Sequence, residues 1–229
     1  MGGIGAPGCI LEILERSIEV ARPKGNWETT EARRTDILQS AFEVFARNGY
    51  NGGSLKKIAK SVGISEAGIL HHFSSKSELL SAVLKYRDDL SAEIVNTEAS
   101  SGIEFVSDWL KLIQYNTENP GIVELYCLLS AEGTSADHPA HEYFINRYQY
   151  VLEVTSISFT KLYADGHLNP GLEPINLARA LIAISDGLQV QWLLDRSWDM
   201  VEEHRGFFRT VLTEEAAHLA GVYPVLANV

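Results

Sequence analysis

The amino-acid sequence predicts an all-α fold in two parts, a three-helix N-terminal unit and a larger helical C-terminal unit. Three observations carry that prediction. Apolar residues recur at three- and four-residue spacing nearly throughout, strand-like alternation is almost absent, and Gly, Pro and Asn clusters separate the periodic segments. The 229 residues are 45% hydrophobic and 21% charged, enough apolar material to bury a core without disulfides or a structural metal. Cys9 and Cys127 stand far apart with no CxxC spacing, which disfavours a zinc site or redox pair and fits a reducing, cytoplasmic setting; Cys127 reads as a small buried hydrophobe. No run approaches the roughly 18 to 20 consecutive apolar residues of a membrane span. The opening MGGIGAPGCI lacks a basic start and a long apolar run, so no secretory signal is expected.

Residues 1–27 read as an extension, and 28–76 as the first folded unit. Within it, 31–48 places Ile37, Leu38, Ala41, Phe42, Val44 and Phe45 on one apolar stripe, with Thr30 able to cap its start and Gly49 its end. Ser54 is a good N-cap for a short helix that turns Leu55, Ile58, Ala59 and Val62 inward and ends at Gly63; Ser65 then caps another. Helix, glycine turn, helix, with the small Ala59 where the two must approach, is a helix-turn-helix arrangement. A linking helix over 77–97 follows, its N-cap Ser75 or Ser77. Beyond it, residues 98–229 form the second unit, with helices expected near 103–117, 121–132, 139–164, 174–194 and 201–220.

Charge divides along the same line. Residues 22–76 hold nine Lys or Arg against five acids, a local +4 in a chain of net −11, so the remainder carries −15. A basic end on an acidic body fits a DNA-reading head on a body that does not touch DNA. A helix entering the major groove needs short side chains in its first turn, since bulky ones hold the backbone away from the base edges; Ala67 and Gly68 meet that need. Gly68 within a helix points to a close approach, or is simply tolerated. Glu66 either accepts from a cytosine amino group or is a favourable charge in a first helical turn. Lys56 and Lys57 sit at a helix start, where a cation is mildly disfavoured, so they either meet an outside anion or belong to a solvated face. Ser54 can offer its hydroxyl to a phosphate, and Lys76 can do the same from the opposite side of the groove.

The stretch TEARRTDILQSAFEVFARNGYNGGSLKKIAKSVGISEAGILHHFSSKSELLSAVL, and within it the run from Gly63 to Lys76, resembles the DNA-binding domain of TetR-family transcriptional regulators over roughly residues 29–90. The resemblance implies that His72 and Lys76 contact phosphates and that Glu66, Ala67, Gly68 and Leu70 form the base-reading turn. His71 is included as a neighbour, although adjacent helical residues point about 100° apart. Many members carry Tyr where Leu70 stands, a departure that touches the contact made there and not the fold.

In the body, aromatic residues at helical spacing are either core or pocket wall. The resemblance implies an apolar ligand cavity, for which the expected lining is Trp109, Tyr126, Phe144, Tyr148 and Trp192, with Asp186 or Gln189 as polar anchors. An acidic body is expected to tolerate a cationic or neutral amphipathic ligand better than an acidic one. Residues 178–195, ARALIAISDGLQVQWLLD, are similar to the penultimate helix of the choline and betaine regulator branch, which implies that 174–194 and 201–220 pair across a two-fold axis. The partners expected are therefore a double-stranded DNA operator, a small-molecule effector and a second copy of the chain, with no membrane and no cofactor. Two rivals stand beside this reading. One is an activator or ligand-independent architectural DNA binder. The other is an all-α enzyme using a metal at His138 and His141, although adjacent His71 and His72 diverge and the sequence lacks GxSxG, HExxH, a P-loop and a strand-borne GxGxxG.

Overall fold

The computed structural model describes residues 27–94 and 102–223. Apart from Trp27, the expected N-terminal extension lies outside the described residues, as does Cys9. The described chain is helical: α1 (Trp27–Gly52), α2 (Leu55–Val62), α3 (Glu66–His72), α4 (Lys76–Ile94), α5 (Ile103–Glu118), α6 (Pro120–Glu132), α7 (His141–Ala164), α8 (Pro174–Leu194), α9 (Met200–Val211) and α10 (Glu214–Leu219). Strand-like pairing among the described residues amounts to an isolated bridge between Leu168 and Leu212.

The expected caps of the first unit form as the side-chain chemistry requires. Ser54 Oγ accepts from Lys57 N, and Ser65 Oγ from Gly68 N. Gly63 closes α2 in the left-handed region at φ 71°, and its N–H bonds back to the Ala59 carbonyl. Of the two serines proposed to start the linking helix, Ser75 is the cap: its Oγ accepts from Glu78 N at 3.0 Å. Thr30 does not cap α1, because the helix begins earlier, at Trp27, and the residue falls inside it. Gly49, at φ 66° and ψ −176°, breaks α1 before its last turn.

One further expectation changes. The predicted helix over 201–220 is two helices, α9 and α10. Leu212 leaves helical geometry to bridge Leu168, and Thr213, whose N–H reaches the His167 carbonyl at 2.9 Å, becomes the N-cap of α10. A helical period runs through 201–220 uninterrupted, so only this contact with a distant loop reveals the break.

Two apolar cores hold the molecule together. One joins Ile37, Ala41 and Phe45 of α1 to Ile58, Ile69, Phe73 and the start of α4, and runs on into Ile122, Leu125 and Leu129 of α6. The other packs α5 against α8, α9 and α10 around Phe105, Phe159, Leu181 and Phe208. The head is thus not a separate globule, since α1 lies along α6 and shares its core. Phe42 approaches Gly121 closely enough that a Cβ there would sit 3.6 Å from its ring.

Candidate DNA-reading surface and ligand cavity

Ile69 and Phe73 anchor α3 by complete burial, so the side chains opposite them must face out. At about 100° per residue these are Ala67, Gly68 and His71, with Leu70 and His72 at the margins; Glu66 shares the side of Ile69 and Phe73 as the first residue of the helix. Glu66, Ala67 and His71 are exposed, and Leu70 is an exposed large apolar residue at 44%. Of the adjacent histidines, His71 lies on the outward face of the helix and His72, half-buried, flanks it. Burial and the positive neighbours His71, Arg34 and Arg33 lower the His72 pKa. A Cβ on Gly68 would meet nothing nearer than Ile64 and Ser65 atoms at 3.5 Å, ordinary contact, so no packing within the chain requires glycine there.

Residues that the sequence did not single out hold this surface. Arg34 Nη1 donates to the His72 carbonyl at 2.6 Å and its guanidinium lies 4.0 Å over the Phe73 ring, which fixes the C-terminal end of α3. The only sequence sign of that role was the basic pair itself, in a helix that otherwise reads as support. Lys56 and Lys60 are exposed and without a partner among the described residues. Lys57 is engaged, donating to Asn48 Oδ1 at 2.8 Å and to the Gly52 carbonyl at 3.2 Å. Lys76 also faces inward in part: its Nζ donates to the Tyr50 carbonyl and sits 4.2 Å over the Tyr50 ring, and burial lowers its pKa.

Tyr50 also marks the joint between head and body. Its N–H donates to Glu132 Oε2 at 2.7 Å, across 82 residues of sequence. His138 Nε2 lies 3.5 Å from the same oxygen, and its Nδ1 accepts from Ala140 N at 3.2 Å. His141 Nδ1 donates to the Gly133 carbonyl at 2.8 Å. Both histidines considered for a metal are thus built into the α6–α7 connection, and no group of three or more potential ligands is placed to hold an ion among the described residues.

In the body, α4, α5, α6, α7 and α8 enclose a cavity of about 470 Å³. Of the residues named from the sequence, Trp109, Tyr126, Tyr148, Asp186 and Gln189 face this cavity. Phe144 and Trp192 do not. Phe144 packs edge-on against Tyr126 and Tyr143 and covers Gly133, and Trp192 lies in the second core with Arg196 4.8 Å over its ring. Both sit at the same helical spacing as true wall residues, which a helical wheel does not separate. No sequence pattern singles out the polar wall from α4 and α7: Arg87, Asp88, Tyr143, Asn146 and Arg147. Arg87 is only 6% exposed and lies 4.4 Å over the Tyr126 ring. The Tyr148 hydroxyl donates to Asp186 Oδ2 at 2.8 Å, and burial raises the Asp186 pKa. Cys127 is half-buried beside Gln189, and burial pushes its thiol up to about 11. No helix of the described residues is long and apolar enough to cross a membrane.

A helix-turn-helix head whose reading helix presents small and polar residues, continuous in packing with a helical body that holds a cavity, defines a DNA-binding regulator of the helix-turn-helix class. The family model of bacterial regulatory proteins of the tetR family matches residues 37–83. Residues 37–83 thus carry the DNA-binding domain of this family, and the chain is a DNA-binding transcriptional regulator. It is 29% identical to the HTH-type transcriptional regulator UidR of Escherichia coli over 162 residues, 69% of this chain and 82% of UidR. It is 37% identical to the HTH-type transcriptional repressor AcnR of Corynebacterium diphtheriae over 79 residues, 34% of this chain and 40% of AcnR. A TetR-family regulator from Agrobacterium tumefaciens superposes with a TM-score of 0.68 at 22% identity, covering 80% of this chain and all of that one.

Proposed function

We propose that the chain is a cytoplasmic, homodimeric repressor, released from a near-palindromic operator by a small molecule bound in the body. The observation that carries this reading is the cavity itself, and above all its α4 wall. Helix α4 starts at Lys76, four residues after the reading helix ends, and supplies Arg87 and Asp88 to the cavity. An occupant that displaces this wall moves the element joined directly to the reading surface. A ligand-independent architectural binder has no use for such a space and would fill it with side chains.

Dimerisation sets two reading helices about 34 to 36 Å apart, one DNA turn, or a multiple of it. Most of the exposed large apolar residues outside the head lie on α7 and α8, which favours these as the paired helices: Ile145, Tyr150, Ile157 and Tyr163 on one, Ile175, Val190 and Leu194 on the other, with Leu219 of α10 beside them in the set. Met200, Val201, Phe208 and Val211 of α9 pack inside the subunit, so α7 rather than 201–220 is the partner proposed for 174–194. The narrower likeness to choline and betaine regulators carries no part of this reading.

At the DNA surface, Glu66, Ala67, Gly68, Leu70 and His71 read bases, while Ser54, Lys56 and His72 contact phosphates. The Ser54 oxygen accepts from Lys57 N and keeps its own proton to donate. Lys76, held on Tyr50, reaches a phosphate only with its remaining donors. The test is retention of a fragment of the protein's own promoter on a gel at low salt. A shift that weakens when a cavity ligand is added supports the reading, and no shift of any promoter fragment refutes it.

A further inference from the structure

We propose that the cavity takes an organic monoanion, a carboxylate-headed molecule with a predominantly apolar body, whose head lies between Arg87 and Arg147. The proposal rests on the cavity being the effector site and names the chemistry that site selects.

At this end of the cavity the wall holds two guanidinium groups and one fully engaged carboxylate. Asp88 faces Arg87 Nη1 at 3.1 Å and Arg147 Nε at 3.6 Å, and it accepts from the Tyr143 hydroxyl at 2.8 Å. Neither arginine is satisfied by that arrangement. Arg87 keeps a buried Nε without a partner, and Arg147, with 18% of its side chain exposed, donates no hydrogen bond among the described residues. A guanidinium carries five N–H donors and keeps its charge when buried. Two of them on one carboxylate leave an excess of positive charge and of donors, which a planar oxyanion matches in both respects.

The other acids on the wall do not cancel that excess. Asp89 is paired with Lys85 at 2.9 Å. Asp186 is occupied by the Tyr148 hydroxyl, from which it accepts at 2.8 Å. An aromatic wall also suits a cation, yet the Tyr126 face is already covered by Arg87. Away from the arginines the wall is apolar. Arg147 and Thr155 are separated on α7 by about 12 Å of helix rise, and beyond Arg147 the surface passes Val151 and Val154 towards Phe105, which packs on Phe159. A ligand with its head at Arg147 therefore runs its body along an apolar channel. This reverses the expectation drawn from net charge. The −15 outside residues 22–76 is a sum over all of that sequence, whereas selection depends on the few groups facing the cavity.

The experiment titrates the full-length protein with decanoate, decanol and decyltrimethylammonium at monomeric concentrations, three probes of one chain and three head charges, by isothermal titration calorimetry. Decanoate is expected to bind about tenfold or more tightly than decanol, and the ammonium probe more weakly than either. In Arg147→Met the gap between decanoate and decanol shrinks to about twofold or less, and in Arg147→Lys part of it returns. Circular dichroism of the ligand-free variants shows whether they fold, and Arg87→Met provides the same reading should Arg147→Met unfold. Tighter binding of the ammonium probe, an undiminished gap in both Met variants, or binding of none of the three overturns the proposal. Operator retention measured in the same preparations separates the two readings. Arginine-dependent decanoate binding that leaves retention unchanged refutes release while the ligand class stands, and release by the ammonium probe alone does the reverse.

Discussion

Gly49→Ala tests whether the joint between head and body is held as the structure shows. Gly49 has φ 66° and ψ −176°, a region open essentially only to glycine, and a Cβ on its backbone would lie 2.3 Å from Glu132 Oε1. Backbone strain there costs about 1 to 3 kcal/mol. The Glu132 carboxylate must also move, breaking its 2.7 Å bond from Tyr50 N, which is charge-assisted and is expected to cost about 1.5 to 3 kcal/mol once the N–H is left unpaired. The variant should lose about 3 to 5 kcal/mol, and at 2 to 4 °C per kcal/mol for a chain of this size its midpoint should fall by about 10 °C or more. Glu132→Ala alone removes the bond without the strain and should cost about 2 kcal/mol. In the double variant the bond is lost only once, so it should resemble Gly49→Ala and depart from additivity by about 2 kcal/mol. Unfolding by urea, followed by circular dichroism for the four proteins, measures the cycle. Additive losses, or a Gly49→Ala cost below about 1 kcal/mol, would refute the reasoning.

Gly68→Ala should raise stability by roughly 0.5 to 1 kcal/mol, because alanine favours the helix and nothing in the chain opposes its methyl, while operator affinity falls; thermal unfolding and gel retention together check it, and unaltered DNA binding would show that no close approach occurs there. Lys56→Ala should weaken binding to all sequences and reduce the salt slope by about one phosphate contact, whereas Glu66→Ala should change base preference, measured as affinity against log salt for operator variants; the same uniform loss in both would contradict the division of roles. His204 is fully buried, with Nδ1–H donating to the Met200 carbonyl at 2.8 Å and Nε2 lying 2.9 Å from the Ser185 hydroxyl, and burial lowers its pKa from 6.5. The unfolded chain then binds the extra proton first, so this contribution to stability is present above pH 6.5 and is lost as pH falls from there towards the folded pKa. Urea midpoints between pH 7.5 and 5 should show that decline, and a His204→Gln variant with an unchanged slope would assign it elsewhere.

How far the sequence could be read varied with the range of the interactions. The caps at Ser54, Ser65 and Gly63 depend on side chains within three or four residues of the backbone groups they satisfy, so residue order alone revealed them. The outward face of α3 followed from the burial of Ile69 and Phe73, itself visible as a helical period. The cavity was legible in kind but only partly in detail. Trp109 and Tyr126 line it while Phe144 and Trp192 do not, because an aromatic residue on an inward face meets either a neighbouring side chain or a space, and periodicity describes only the face. Arg87 and Arg147 escaped notice because a charged residue in an amphipathic helix reads as solvated until a second helix is seen to cover it.

By itself the sequence determined the all-α class, the helix-turn-helix head and the exposed face of α3, since local capping and the 3.6-residue period dictate each of them. Only the tertiary structure decided where α9 ends, that Lys76 rests on Tyr50, that Glu132 ties body to head, and which charges look into the cavity. These are contacts between residues far apart in the chain, and their energies depend on burial and distance, which arise only when helices are packed.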